Sequence, residues 1–172
     1  MKDFLISLCL LVIAVVAIGS LYLYGKQHFF STPGGTPAGT AISGRPVPYI
    51  VLAQGAQSSV HGRTNYVVTS DAEYRLLWKM LDTSAIAPDV DFTKEDVIAF
   101  FAGDEPTDGY SIGVTSIADT ASTRMLDIAI TRPGASCTVA QSVTTPYELI
   151  EIPHTTLQLE HTDTDQVNNC KF

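Results

Sequence analysis

From Phe4 to Tyr24 the sequence reads FLISLCLLVIAVVAIGSLYLY without one charged side chain, and no other stretch limits the possible structures so severely. A helix rises about 1.5 Å per residue, so a run of this length reaches roughly 30 Å, the thickness of a bilayer's hydrocarbon core. The run predicts a transmembrane helix over residues 4–25, with residues 1–3 as a short N-terminal tail. A secretory signal would carry a shorter apolar segment, whereas here Leu21, Tyr22, Leu23 and Tyr24 continue beyond the Ala17-Ile18-Gly19 that could serve for cleavage. Cys9 reads as one more apolar helix residue, because Leu8 stands where lipoprotein processing needs a small side chain. Lys2 and Lys26 flank the run almost evenly, while Tyr22, Tyr24, Phe29 and Phe30 stand where an interfacial aromatic belt would. The expected placement is a single pass through the cell membrane, the bilayer meeting residues 4–25 and everything after them extracytoplasmic.

Residues 26–46 are expected to form a tether. Their second half, STPGGTPAGTAISGRP from Ser31 to Pro46, can neither build a core nor hold a regular element, and such a chain spans on the order of 20 Å. Residues 47–172 are left for one domain, a usual size for a single core. The whole chain has 10 Lys and Arg against 18 Asp and Glu. Lys2, Lys26 and Asp3 lie beside the apolar run, so the exported part is the more acidic one. That balance argues against nucleic acid and anionic lipid headgroups, which need clustered cations, and favours solubility and a basic partner. Cys137 and Cys170 are the cysteines outside the apolar run, and an even pair in an exported domain is expected to be a disulfide.

One helix is well signalled. Ser70 stands as an N-cap with Glu73 three residues on, and Tyr74, Leu77, Trp78 and Leu81 follow at helical spacing, which makes Trp78 a core anchor. Elsewhere the period is two: Tyr110, Ile112 and Val114; Leu126, Ile128 and Ile130; Leu157 and Leu159. VIAFFA, from Val97 to Ala102, is apolar on both faces and predicts a strand in the middle of a sheet. Residues 49–53 and 147–152 add two strands, the second breaking alternation at Leu149-Ile150, where a bulge would fit. Many short strands and one helix give no repeating βαβ unit. The expected fold is mainly β (α+β): an antiparallel sandwich or small barrel with one packed helix, preceded by the membrane span.

The motifs that carry chemistry are few. Gly109-Tyr110-Ser111-Ile112-Gly113 fits the Gly-x-Ser-x-Gly of a hydrolase nucleophile elbow, with Asp127 and His154 following in order. An elbow turns sharply from strand to helix, whereas Ser111 falls inside an alternating strand, so a small serine hydrolase is the least favoured reading. Asp104, Glu105 and Asp108 crowd GDEPTDG, but their spacing does not follow a calcium loop; Pro106 and Gly109 explain the segment better as a turn. His28, His61, His154 and His161 show no ligand-pair spacing, and no glycine-rich loop precedes a helix. Neither a metal nor another cofactor is expected, and no residue is assigned a catalytic role.

Between residues 89 and 153 the order of features resembles the C-terminal domain of the PrcB family. The residues that carry the likeness are Asp91-Phe92, Val97-Ile98-Ala99, Gly103, Pro106-Thr107-x-Gly109-Tyr110, Pro133, Thr145-Pro146-Tyr147 and Ile152-Pro153. The helical segment around Leu76, Leu77 and Trp78 also fits, extending the likeness to about residues 68–155. Asp108 stands where the pattern would have a second glycine. The resemblance implies a non-enzymatic accessory part that stabilises or regulates an envelope protease. It also implies that Pro106, Thr107, Gly109 and Tyr110 form either a scaffold corner, the favoured reading since Gly and Pro at turn positions are first of all backbone requirements, or the edge of a contact surface. An alternative is a protease inhibitor resembling chagasin, which would present the Glu105–Gly109 loop. The expected partner is an envelope protein, a protease foremost.

Overall fold

The structure, a computed structural model, describes residues 44–170. The predicted span at 4–25, the tail at 1–3 and nearly all of the tether lie outside the described residues. Among the described residues no helix is long and apolar enough to cross a membrane. In chain order the elements are β1 (Arg45–Pro46), β2 (Ile50–Gly55), β3 (Thr64–Val68), α1 (Asp71–Trp78), β4 (Glu95–Phe101), β5 (Ser111–Asp119), β6 (Thr123–Pro133), β7 (Tyr147–Pro153) and β8 (Gln158–Asn168). Arg45 and Pro46, read from composition as the end of the tether, pair with Asp119 and Ala118.

The strands form two four-stranded sheets in the orders β1-β5-β6-β8 and β2-β7-β4-β3. Among the described residues both are open at their margins, so the architecture is a sandwich and the barrel alternative falls away. The expectation of an antiparallel sandwich holds for the other strand pairs and needs one correction: β8 runs parallel to β6 from Thr123↔Gln158 to Pro133↔Asn168. The reason is the path of the chain, because β7 carries it back through the other sheet before β8 begins, and a return on a separate layer leaves β6 and β8 pointing the same way.

Alternation along the strands builds the core between the sheets. Ile112, Val114 and Ile117 of β5 and Leu126 and Ile128 of β6 meet Ile98 and Phe100 of β4 and Ile150 and Ile152 of β7. The opposite face of the second sheet is also covered. Val97, Ala99 and Phe101 of β4 and Tyr147 and Leu149 of β7 pack under Tyr74, Leu77 and Leu81. That is why VIAFFA lacks alternation: β4 lies in the central layer of three, and its apolar side chains are buried on both faces. The same holds for Leu149-Ile150. These two adjacent residues face opposite cores, and the irregularity predicted there falls on the partner strand, where the β2 register slips between Val51 and Ala53.

The capping box forms at α1. Ser70 is the N-cap, its hydroxyl accepting from the Glu73 amide at 3.4 Å and donating to the Glu73 carboxylate at 2.9 Å. Tyr74 is the buried anchor at 2 % exposure, and Trp78 packs edge-on against it at 5.7 Å, half-buried, with its indole N–H donating to Ala85 O at 3.1 Å. Cys137 and Cys170 are joined in a disulfide, fastening the end of β8 to the loop after β6. The Gly134 amide donates to Asn168 O at 2.9 Å in the same corner.

Candidate functional site

The Pro-Thr-x-Gly-Tyr segment leaves β4 and turns into β5, and glycine is required at both ends of the turn. Gly103 and Gly109 each have φ of 88°. A side chain at Gly103 would come within 2.9 Å of the Arg63 amide nitrogen, and one at Gly109 within 3.2 Å of Val139 and 3.3 Å of Pro133. Asp108 does not need the glycine that the pattern would place there. No non-glycine residue among those described has positive φ, and its carboxylate accepts from the Gly109 amide at 2.8 Å, closing the turn locally.

The strand start at Thr144–Tyr147 locks this turn in place. Glu105 and Thr144 exchange backbone hydrogen bonds of 2.8 and 3.0 Å, and the Thr144 hydroxyl donates to Thr107 O at 3.0 Å. The Asp108 amide donates to Ala140 O at 3.0 Å, and that of Ala102 to Pro146 O at 2.9 Å. One residue on, Thr145 clamps a third loop. Its hydroxyl accepts from the Ser58 amide at 2.6 Å and donates to Ser58 O at 2.8 Å, while the Ser58 hydroxyl donates to Thr145 O at 3.1 Å. Thr144, Thr145 and Pro146 are buried. The polar groups of the motif are thus largely used to hold backbone to backbone, the arrangement of a scaffold corner. Pro106 and Asp108 remain exposed, Thr107 and Tyr110 half-buried. The Glu105–Gly109 loop of the inhibitor reading is fastened at Glu105, Thr107 and Asp108.

The hydrolase constellation is not assembled. Ser111 opens β5, opposite Thr131, whereas Asp127 lies opposite Ser116 and accepts from its hydroxyl at 2.9 Å. Four positions along β6 separate Asp127 from Thr131, the partner of Ser111, roughly 13 Å. His154 follows β7 in the other sheet, with Nδ1 at 3.0 Å from both oxygens of the buried Asp96. The loop carboxylates are equally dispersed: Asp104 meets His61 Nδ1 at 2.7 Å, and burial, then the charge of Asp165, raises the Glu105 pKa. Among the described residues no three His, Cys, Asp or Glu side chains gather as a metal site would require.

Three charged residues at inward positions, none singled out by motif, join the two sheets. Arg124 grips Asp119 through two bonds of 2.7 and 2.9 Å and donates from Nη1 to Pro153 O across the sandwich at 2.5 Å. Those guanidinium bonds hold the Asp119 carboxyl below its ordinary range. Arg63 makes a bidentate pair with Asp163 at 3.0 and 2.8 Å, tying the approach to β3 to β8. Glu148 is the least ordinary of the buried groups. Its carboxylate accepts from the Val114 amide at 2.7 Å, and the Tyr49 hydroxyl donates to Val114 O at 2.9 Å, so side chains from β7 and from the residue before β2 satisfy β5 beyond the end of β1. Gly113 makes room, since a side chain there would meet the Glu148 carboxylate at 2.9 Å. Burial raises the Glu148 pKa against the opposing pull of the Val114 amide, and the Tyr49 hydroxyl is raised by burial and by Glu148.

Fold and corner together define a β-sandwich module with a helix on one face and a turn whose polar groups are spent within the structure. Its segment from residue 97 to 153, from within β4 to the end of β7, matches the family model described as PrcB C-terminal, the family whose likeness the turn residues carry. No curated protein and no solved structure matches the chain.

Proposed function

We propose that this chain is a non-enzymatic, membrane-anchored interaction module on the extracytoplasmic side, which stabilises or regulates an envelope protein, a protease foremost. The observation that carries the reading is the PrcB C-terminal match over residues 97–153. Two further features support it. The uncharged run Phe4–Tyr24 provides an anchor of bilayer length, and the polar groups of the motif corner are committed to backbone. In this reading Pro106, Thr107, Gly109 and Tyr110 keep the surrounding surface rigid, and recognition occurs by surface complementarity. Crosslinking of the full chain in intact cells, followed by identification of the attached proteins, tests the proposal. Recovery of an envelope protease or of a component of its assembly is the expected result; recovery of neither would overturn it.

A further inference from the structure

A β-sandwich has to protect the margins of its sheets, because an unpaired strand edge is a template for another strand. Here the margins differ. β1 is two residues long and consists of Arg45 and Pro46. β8 carries Glu160, Asp163 and Asp165. β3 is at least partly buried along its whole length, and the Arg63 guanidinium occupies Thr64 O at 3.1 Å. β2 has none of these protections. Among the described residues it is hydrogen-bonded to β7 alone, its sequence is IVLAQG, and Ile50 and Val51 are 63 % and 44 % exposed. From Val47 to Val60 there is no Asp, Glu, Lys, Arg or His.

We propose that the β2 edge is a self-association surface, on which a second copy of this chain pairs β2 against β2 antiparallel about a two-fold axis. The charge distribution chooses this occupant. In an isologous contact each surface meets its own copy, so a charged margin such as β8 would set carboxylates against carboxylates. A chain of net charge −8 meets least self-repulsion along a strip free of them, and the Val47–Val60 stretch is such a strip. A foreign strand steered to an acidic domain would look for negative charge, and β2 offers none to read. The register slip beside Leu52 shortens the stretch that can pair. An interface of one short strand per copy falls at or below the ~1,000 Å² of stable contacts, so the dimer is concentration-dependent. The inference goes beyond the accessory role and does not depend on it.

The test uses the full chain in detergent, followed by sedimentation equilibrium over a concentration series. The expected result is a reversible monomer–dimer equilibrium that Ile50→Lys or Val51→Lys each weakens at least about tenfold, with melting temperature retained. A photo-crosslinking residue in place of Val51, irradiated in intact cells, should give an adduct of twice the chain's mass, and one in place of Glu160 should not. The second measurement does not need the lysine variants to fold. A monomer at every concentration, a dimer indifferent to both lysines, or adducts from position 51 with a different polypeptide would overturn the proposal, the last in favour of a foreign strand on the same edge.

Discussion

Glu148 is a carboxyl group buried between two sheets, and its effect on stability has a definite sign. Burial raises its pKa in the folded state, so its contribution is full below the unfolded carboxyl pKa and is lost as pH rises through the folded value. Glu148→Gln retains an acceptor for the Val114 amide and removes the ionisation. It is expected to be more stable than the parent at neutral pH and to lose that advantage below about pH 4, which denaturant titrations at several pH values would reveal. Asp119 has the opposite sign. The Arg124 guanidinium lowers its pKa, so its contribution is present above the unfolded value and is lost as pH falls through the folded one. Arg124→Met leaves Asp119 without its main partner and Pro153 O without its donor. A loss of about 3–5 kcal/mol in chemical denaturation is expected, the usual penalty for breaking a buried pair on one side.

At the scale of elements, the corner between β4 and β5 depends on glycine at two positions and threonine at two more. Gly109→Ala places a side chain in a conformation it resists and against Val139 and Pro133, and should cost about 1–2 kcal/mol in thermal or chemical melts. The same element shows what the sequence could and could not reveal. The Ser70–Glu73 box, the turn at Pro106–Gly109 and the buried β4 strand were legible because each depends on residues close in the chain. Asp96, Arg124 and Glu148 went unread, although a signal existed. Each lies two residues before an inward apolar residue, Ile98, Leu126 and Ile150, and so continues the inward phase of its strand. A charged residue in that phase near a strand end is a polar plug at the rim of a sandwich. The Thr145 clamp on Ser58 had no such signal, because nothing local distinguishes a threonine that will meet a loop 87 residues away. The parallel pairing of β8 was hidden for a similar reason: it follows from β7 joining the other sheet, which is decided by long-range packing.

For the whole molecule, the disulfide fastens the module together, and the proposed anchor would set where it works. Cys137→Ser with Cys170→Ser frees the end of β8 from the loop after β6, and about 3–4 kcal/mol of stability should be lost, measured against the oxidised parent. The loss should equal that of the parent under reducing conditions, since both remove the same crosslink. The proposed role as a partner-binding module rests on the PrcB C-terminal match over residues 97–153. Gentle solubilisation of membranes from cells making the full chain, with isolation of what travels with it, tests that claim most directly. The expected result is the chain in the membrane fraction, its disulfide intact, with an envelope protein bound in stoichiometric amount. A chain recovered from the cytosol with Cys137 and Cys170 reduced and nothing attached would contradict it.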